Sequence, residues 1–430
     1  MNVEIKFPHT DTQGRVFLTW RPVMCTVRLV QPTPGLASPG GKVKVRFASV
    51  TTGSGGRLHF YANPSQPGTS NIDVDLPITG ATVDLSLGGE FRAPSASYGD
   101  VAIEARLLDP NNQQTLSGAP LLNFPTMVRV RKNANVLTSG ERDRFVSALA
   151  TLNGQGTGIF KQFRDTHVAG ASDQQAHAGP GFLPWHRAYL LDLERELQNV
   201  DATVTLPYWR FDQAAPNVIT RAFMGLPNST GTVTFNSGHP FVSWVTDGQV
   251  GVFRGPGVTP NNIPQPQIPG FVVRTEAQTL ALSSNPGANF AAFRTMQGSP
   301  HGAAHMANWS GPITMIPNAA RDPLFFLLHC NIDRLWAKWQ WLNKLDNPAS
   351  AASFDRSATL KGHRINDTIW PWDNDKSSPR PNFAPRTPLP ASAMTTAPGP
   401  KPKIKDMVDY LAIHGGSDLA FAYDDVPYQP

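Results

Sequence analysis

Cysteine is nearly absent from this chain. The 430 residues include only Cys25 and Cys330, far apart in sequence, which excludes a disulfide framework and a cysteine-rich zinc site and leaves each as a small buried hydrophobe. Long apolar runs are missing too. No stretch approaches the roughly 20 residues that a membrane helix needs, and the opening MNVEIKFPHT lacks the charged-then-apolar layout of a signal peptide. The expectation is a cytoplasmic protein without membrane partners, with export by a partner protein left open. Charged residues are scarce at 16%. The net charge is +5, but Lys and Arg are scattered rather than gathered into a stripe, so nucleic acid is not the expected partner.

Length alone suggests about three domains, yet the texture of the chain changes only once. Residues 1–132 carry short alternating runs, among them CTVRLV (25–30), KVKVRFASV (42–50), RLHFYA (57–62), NIDVDLP (71–77), ATVDLSL (81–87), DVAIEARLL (100–108) and MVRVRK (127–132), separated by Gly, Pro, Ser and Asn. That pattern predicts an all-β sandwich of Ig-like architecture. His9 and His59 stand singly there and read as structural. From Asn133 onward the pattern is helical, opening with a capping box at Thr138 and Glu141. The second domain is expected over 133–430.

Three histidines fall in FRDTHVAGASDQQAHAGPGFLPWHRAYLLDLEREL (163–197): His167 near a helix end, His177 in a loop, and His186 on a helix that Pro184 helps to start. His186, Leu190, Leu193 and Leu197 share a face, so His186 points inward. A second three answer them. His301 and His305 are four apart, and His329 lies on an apolar helix from Asp322–Pro323 to about Leu345. Two further helices are expected over VRTEAQTLALS and ANFAAFRTMQ, and a Pro/Gly surface loop over 254–270. The Pro-rich 376–403 segment reads equally as a lid or as a strap over the surface.

One buried histidine is ordinarily a core residue with a hydrogen bond. Six in two matching groups, on segments otherwise built from Leu, Phe and Trp, each need partners for two ring nitrogens, and a metal supplies one. Catalytic zinc commonly takes three protein ligands that include a carboxylate or cysteine, and facial-triad iron takes two histidines and one carboxylate. Asp165 and Asp173 are near enough to supply it. All-imidazole coordination at two neighbouring metals suits copper better, and copper in pairs suits the activation of O2.

The segments THVAGASDQQAH, FLPWHRAYLLDLE, PHGAAH and DPLFFLLHCNIDRLWAKWQ resemble the two copper-binding regions of the type-3 copper proteins, the group of tyrosinases, catechol oxidases and haemocyanins. The likeness spans roughly residues 133–425 and leaves the N-terminal β region outside it. It implies a mainly α domain with a four-helix bundle around a dicopper site. His167, His177 and His186 would hold copper A, His301, His305 and His329 copper B, with O2 as co-substrate and a small aromatic phenol as partner. FAYDD near the end resembles the tyrosine-containing motif that closes the family's core, with Tyr423 in one tyrosine position and Phe421 in the other. Arg187, Glu194, Asp333 and Arg334 stand where the family orients imidazoles and ties helices together, Asp333 foremost, while Phe182 and Trp185 read as packing. His239, His363 and His414 belong to no motif and read as structural.

The chain departs from that pattern in ways that bear on activity. Many tyrosinases have a glutamate shortly before the first copper B histidine and an asparagine just after it, a pair proposed to deprotonate monophenols. Here Gln297 and Gly302 stand at those positions. A glutamine is no general base, so the expected activity is oxidation of o-diphenols or o-aminophenols with weak or absent monophenol hydroxylation. A full tyrosinase, a haemocyanin-like oxygen carrier, a zinc hydrolase and an idle binding protein are the alternatives. Leu328 replaces the first histidine of a common His-His pair and would make that side less polar. Gln175 stands where some members have the cysteine of a Cys–His thioether, so that thioether is not expected, and neither is a C-terminal shielding domain.

Overall fold

The structure is a computed structural model describing residues 1–30, 41–177, 179–256, 259, 272–283, 287–306 and 310–429, with the main chain alone at 170–173. Contacts divide the chain into two compact units. One comprises Met1–Val130, Ser392–Thr395 and Ala420–Pro430, the other Arg131–Ala391 and Thr396–Leu419.

The first unit is built on strands β1 (Asn2–Lys6), β2 (Phe17–Leu18), β3 (Val23–Val30), β4 (Lys42–Thr51), β5 (Leu58–Tyr61), β6 (Asn71–Pro77), β7 (Val83–Gly89), β8 (Val101–Leu107) and β9 (Leu122–Val128). They form sheets ordered β1-β3-β7-β5 and β2-β9-β8-β4-β6. Strand β4 shows why the register is fixed. Val43, Val45 and Phe47 are buried while Lys42 and Lys44 are exposed, so a slip of one residue would turn the apolar face outward. Phe47 lies opposite Ile72 on one side and Ala105 on the other.

The last strand lies earlier than MVRVRK suggested. It includes Pro125, and β2 meets β9 only at Met127 and Val128, beyond the proline that lacks a ladder donor. The C-terminal piece joins this unit as well: Ala422 belongs to its apolar core and Trp20 Nε1 donates to the Tyr423 carbonyl at 2.7 Å. FAYDD is therefore placed with the β unit rather than closing the helical core.

In the second unit, α1 (Ser139–Asn153) starts with the capping box read from sequence: Thr138 Oγ1 accepts from Glu141 N at 3.3 Å and Glu141 Oε2 from Thr138 N at 3.0 Å. Thr138→Ala is expected to cost about 1 kcal/mol of stability, seen as an earlier denaturation midpoint with unchanged turnover. Next come α2 (Phe160–Val168), α3 (Gly170–His177) and α4 (Phe182–Val200). The loop expected at His177 is instead the end of a short helix.

The two helices expected after the Pro/Gly loop are single turns, α5 (Glu276–Leu280) and α6 (Phe290–Phe293). Residues before proline are pushed out of helical conformation, and Ser299, ahead of Pro300, is extended at φ −144°, ψ 126°. Then follow α7 (Ala303–Met306), α8 (Leu324–Asn343) and α9 (Ile404–Val408). The loop expected over 254–270 lies almost wholly outside the described residues.

The two long helices, α4 and α8, are buried along most of their length, and each fully buried Leu or Phe on them is worth about 2 kcal/mol. A buried charge network joins them. Asp333 on α8 accepts from Arg187 Nε of α4 at 2.6 Å and from Arg131 at 3.1 Å, and Arg131 also reaches Glu194 of α4 at 2.8 Å. The start of α8 is pinned separately, by the fully buried Arg254–Asp322 pair at 2.6 Å, with Asp322 accepting the Leu324 amide.

The Pro-rich segment is a strap. Arg386 grips Asp192 and Glu196 on α4, and Arg195 donates to the carbonyls of Pro390 and Ala397.

Candidate metal centre

Two triads of imidazoles form within the second unit: His167, His177 and His186, and His301, His305 and His329, with candidate ligand atoms in each lying within 4.8 Å of one another. His167 comes from α2, His177 from the last residue of α3, and His186 from the first turns of α4. His301 occupies a wide turn at Gly298–Gly302, His305 lies on α7 and His329 on α8. The triads meet face to face at one point, where His186 and His329 stack with ring centroids 4.2 Å apart and planes 14° apart.

The outer ring nitrogens of His186, His301, His305 and His167 are held by main-chain carbonyls. His186 Nδ1 faces Phe182 O at 2.9 Å, His301 Nδ1 faces Gln297 O at 2.9 Å, His305 Nδ1 faces Ile313 O at 2.8 Å and His167 Nδ1 faces Pro317 O at 3.3 Å. A carbonyl accepts only, so these nitrogens carry the proton and the Nε2 lone pairs point inward. In the second triad, His301 Nε2 and His305 Nε2 approach His329 Nε2 at 3.3 and 3.0 Å. One proton at most serves that junction. In the first, His186 Nε2 is buried without a hydrogen-bond partner. A buried polar atom left so costs about 1–3 kcal/mol, and a cation on the converging lone pairs removes that cost.

Burial keeps the rings neutral, as metal ligands must be. It pushes His305 down to about 4 and, with neighbouring imidazoles adding to it, holds His186, His301 and His329 well below the ordinary range. The donor set, the buried orphan nitrogen and the neutral rings fit copper.

Both triads open on a cavity of roughly 340 Å³. Gln297, Gly302, Met306, Ile313, Ile316 and Phe325 form much of its wall, and no Asp or Glu is among the described residues lining it. Gln297 also donates its amide Nε2 to the His177 carbonyl, so it links the segment before His301 to the end of α3.

Some of the other residues singled out from sequence stand as expected and some do not. Asp165 is engaged by Lys161 at 2.6 Å and by Arg164, outside the triads, while the Asp173 side chain lies outside the described residues. Asp333 binds two guanidiniums, while Nδ1 of His329, the imidazole four residues before it, is buried without a hydrogen-bond partner among the described residues, so the part of Asp333 is to join helices. Arg187 shares that part, stacking on Trp336 at 3.8 Å, as does Glu194. Arg334 turns instead to Glu276 at 2.6 Å. Leu328 is fully buried but off the cavity wall, and Phe325 supplies the apolar surface there. Trp185 packs, its Nε1 donating to Trp370 O at 2.9 Å. Phe182 lies against His186 and His301 at 4.9 and 4.8 Å, off the cavity wall. The Pro-rich strap contributes nothing to the cavity lining. Ile313, Ile316 and Ala319 were not singled out from sequence, because they line the site from short 3-10 turns that carry no periodic signal.

The common central domain of tyrosinase, as a family model, matches residues 157–342. A tyrosinase of Streptomyces glaucescens is 30% identical over 268 residues, covering 58% of this chain and 93% of the relative. Grixazone synthase of Streptomyces griseus is 31% identical over 271 residues, covering 50% and 85%. Among solved structures, polyphenol oxidase from Grenache (Vitis vinifera) matches with a TM-score of 0.43 at 19% identity, covering 70% of this chain and 87% of that one.

Proposed function

The chain belongs to the tyrosinase family and is a type-3 copper oxidoreductase; from that premise we propose that it uses O2 to oxidise o-diphenols or o-aminophenols to o-quinones or quinone imines, with weak or no hydroxylation of monophenols. The observation that carries this reading is the cavity itself. Two histidine triads open on it, and no carboxylate stands among its described lining residues.

His167, His177 and His186 would hold copper A, and His301, His305 and His329 copper B. Copper bound there supplies the transfer of two electrons from each substrate molecule to O2, which leaves as water. The rest is the protein's work. Carbonyls of Phe182, Gln297 and Ile313 fix ring orientation, which is the preorganisation a metal site needs. Phe325, Ile313 and Ile316 give the aromatic ring an apolar seat and limit water. An o-diphenol is acidic and chelating, so its protons leave with little help.

A monophenol is harder. Its hydroxyl must lose a proton before it reaches the metal, and a positioned general base is worth about 10²–10⁴ in rate. Gln297 offers an amide, committed on its nitrogen side to the His177 carbonyl, and Gly302 offers no side chain. Oxygen uptake on matched pairs is therefore expected to run at least about a hundredfold faster on the catechol than on the monophenol, with a lag on the latter. Equal initial rates without a lag would overturn the proposal.

A further inference from the structure

His363 belongs to no copper-binding motif, yet it is 2% exposed and uses both ring nitrogens on main-chain atoms that flank His177 in sequence. Its Nδ1 accepts from the Gly181 amide at 3.0 Å, and its Nε2 donates to the Gln174 carbonyl at 2.8 Å. Gln174 lies in the last turns of α3, three residues before His177. Gly181 is the residue before α4, whose first residue, Phe182, supplies the carbonyl that holds His186.

The slot is cut to fit. A Cβ on Gly179 would come within 2.8 Å of His363 Nδ1, and one on Gly181 within 3.0 Å of the same atom. Gly362, at φ +91°, lets the next turn approach Gln175, where a Cβ would meet its side chain at 2.4 Å. That turn is held in its own right, with Asp367 accepting the amides of Gly362 at 2.8 Å and Arg364 at 3.1 Å. Only the singly protonated ring satisfies both partners, one nitrogen donating and the other accepting, and burial favours that neutral form.

We infer that His363 is a positioning residue for the first histidine triad: it clamps the end of α3 to the start of α4 and so fixes His177 and His186 relative to each other. Helix α3 has eight residues, too few to be stable alone in water. Its placement must come from outside, and His363 supplies the tie to α4, as Gln297 supplies one to the segment before His301. The inference rests on the proposed copper assignment, and it makes His363 a supporting group of the kind whose loss typically weakens metal binding or activity 10–100-fold.

Copper-loaded full-length wild type, His363→Leu and His363→Gln are compared for copper retained after dialysis and for catechol turnover. His363→Leu removes both hydrogen bonds and is expected to lose about half the copper and at least roughly tenfold in turnover. His363→Gln offers an amide acceptor and an amide donor and is expected to restore most of both. Leucine with wild-type copper and turnover overturns the inference, and so does glutamine no better than leucine. Hydrogen exchange on copper-free wild type keeps the question answerable if the leucine variant does not fold: the Gly181 amide is expected to be protected, and rapid exchange there overturns the clamp. Failure of the wild type itself to retain two coppers would instead count against the copper assignment, leaving the exchange result to read the clamp.

Discussion

His329→Ala is expected to leave the protein with about half its copper and to lower catechol oxidation by well over a hundredfold, since loss of a mere supporting partner of a ligand already costs about 10–100-fold. The position has unusual leverage. His329 Nε2 is the junction approached by both other imidazoles of its triad, and its ring stacks on His186 of the opposite triad at 4.2 Å. One deletion thus removes a ligand and the contact through which the triads meet. Metal analysis and oxygen uptake on the same preparation check it. A variant with full copper and full turnover would remove His329 from the site.

Asp333→Ala is expected to be the most destabilising change outside the histidines. Its carboxylate is shared by Arg187 and Arg131, all three nearly inaccessible to solvent. Breaking a buried ion pair by removing one partner costs about 3–5 kcal/mol, because a charge is left without its counterpart in a low-dielectric setting. For a unit of this size that corresponds to a fall in melting temperature of roughly 10 °C. Asp333→Asn, which keeps an acceptor but not the charge, should fall between. A melting temperature for the alanine variant within about 2 °C of wild type would mean that the network contributes little. The loss is expected in copper-free protein too, because Asp333 joins α4 to α8 rather than holding an imidazole.

The six histidines were legible in the sequence because their spacing and apolar surroundings are local properties. So were two of the carbonyl contacts in principle: Phe182 to His186 and Gln297 to His301 each span four residues, the reach of one helical turn. The partners of His305 and His167 were not. Ile313 and Pro317 come from turns whose placement depends on tertiary packing, and a main-chain carbonyl has no signature in residue type. The same holds for His363, which meets its partners across 182 and 189 residues. The alternation that marked β4 and β8 works because one face of each strand is buried, whereas β9 lies earlier than its alternating run and includes Pro125, which the alternation does not mark. Asp333 was found for its spacing to His329, but spacing alone does not tell an imidazole partner from a guanidinium partner.

The amide of Gln297 has a consequence for how this site could change over generations. Introducing glutamate there is a single substitution, and on the chemistry of the base alone it should favour monophenol hydroxylation. In this chain a carboxylate would turn lone pairs toward the His177 carbonyl, where the amide now donates. The gain in basicity arrives together with a loosened ligand segment, so the substitution is expected to be favourable only after a compensating donor appears elsewhere. That is sign epistasis built from one hydrogen bond, and it makes the order of substitutions, not merely their identity, decide which phenols a descendant of this protein can oxidise.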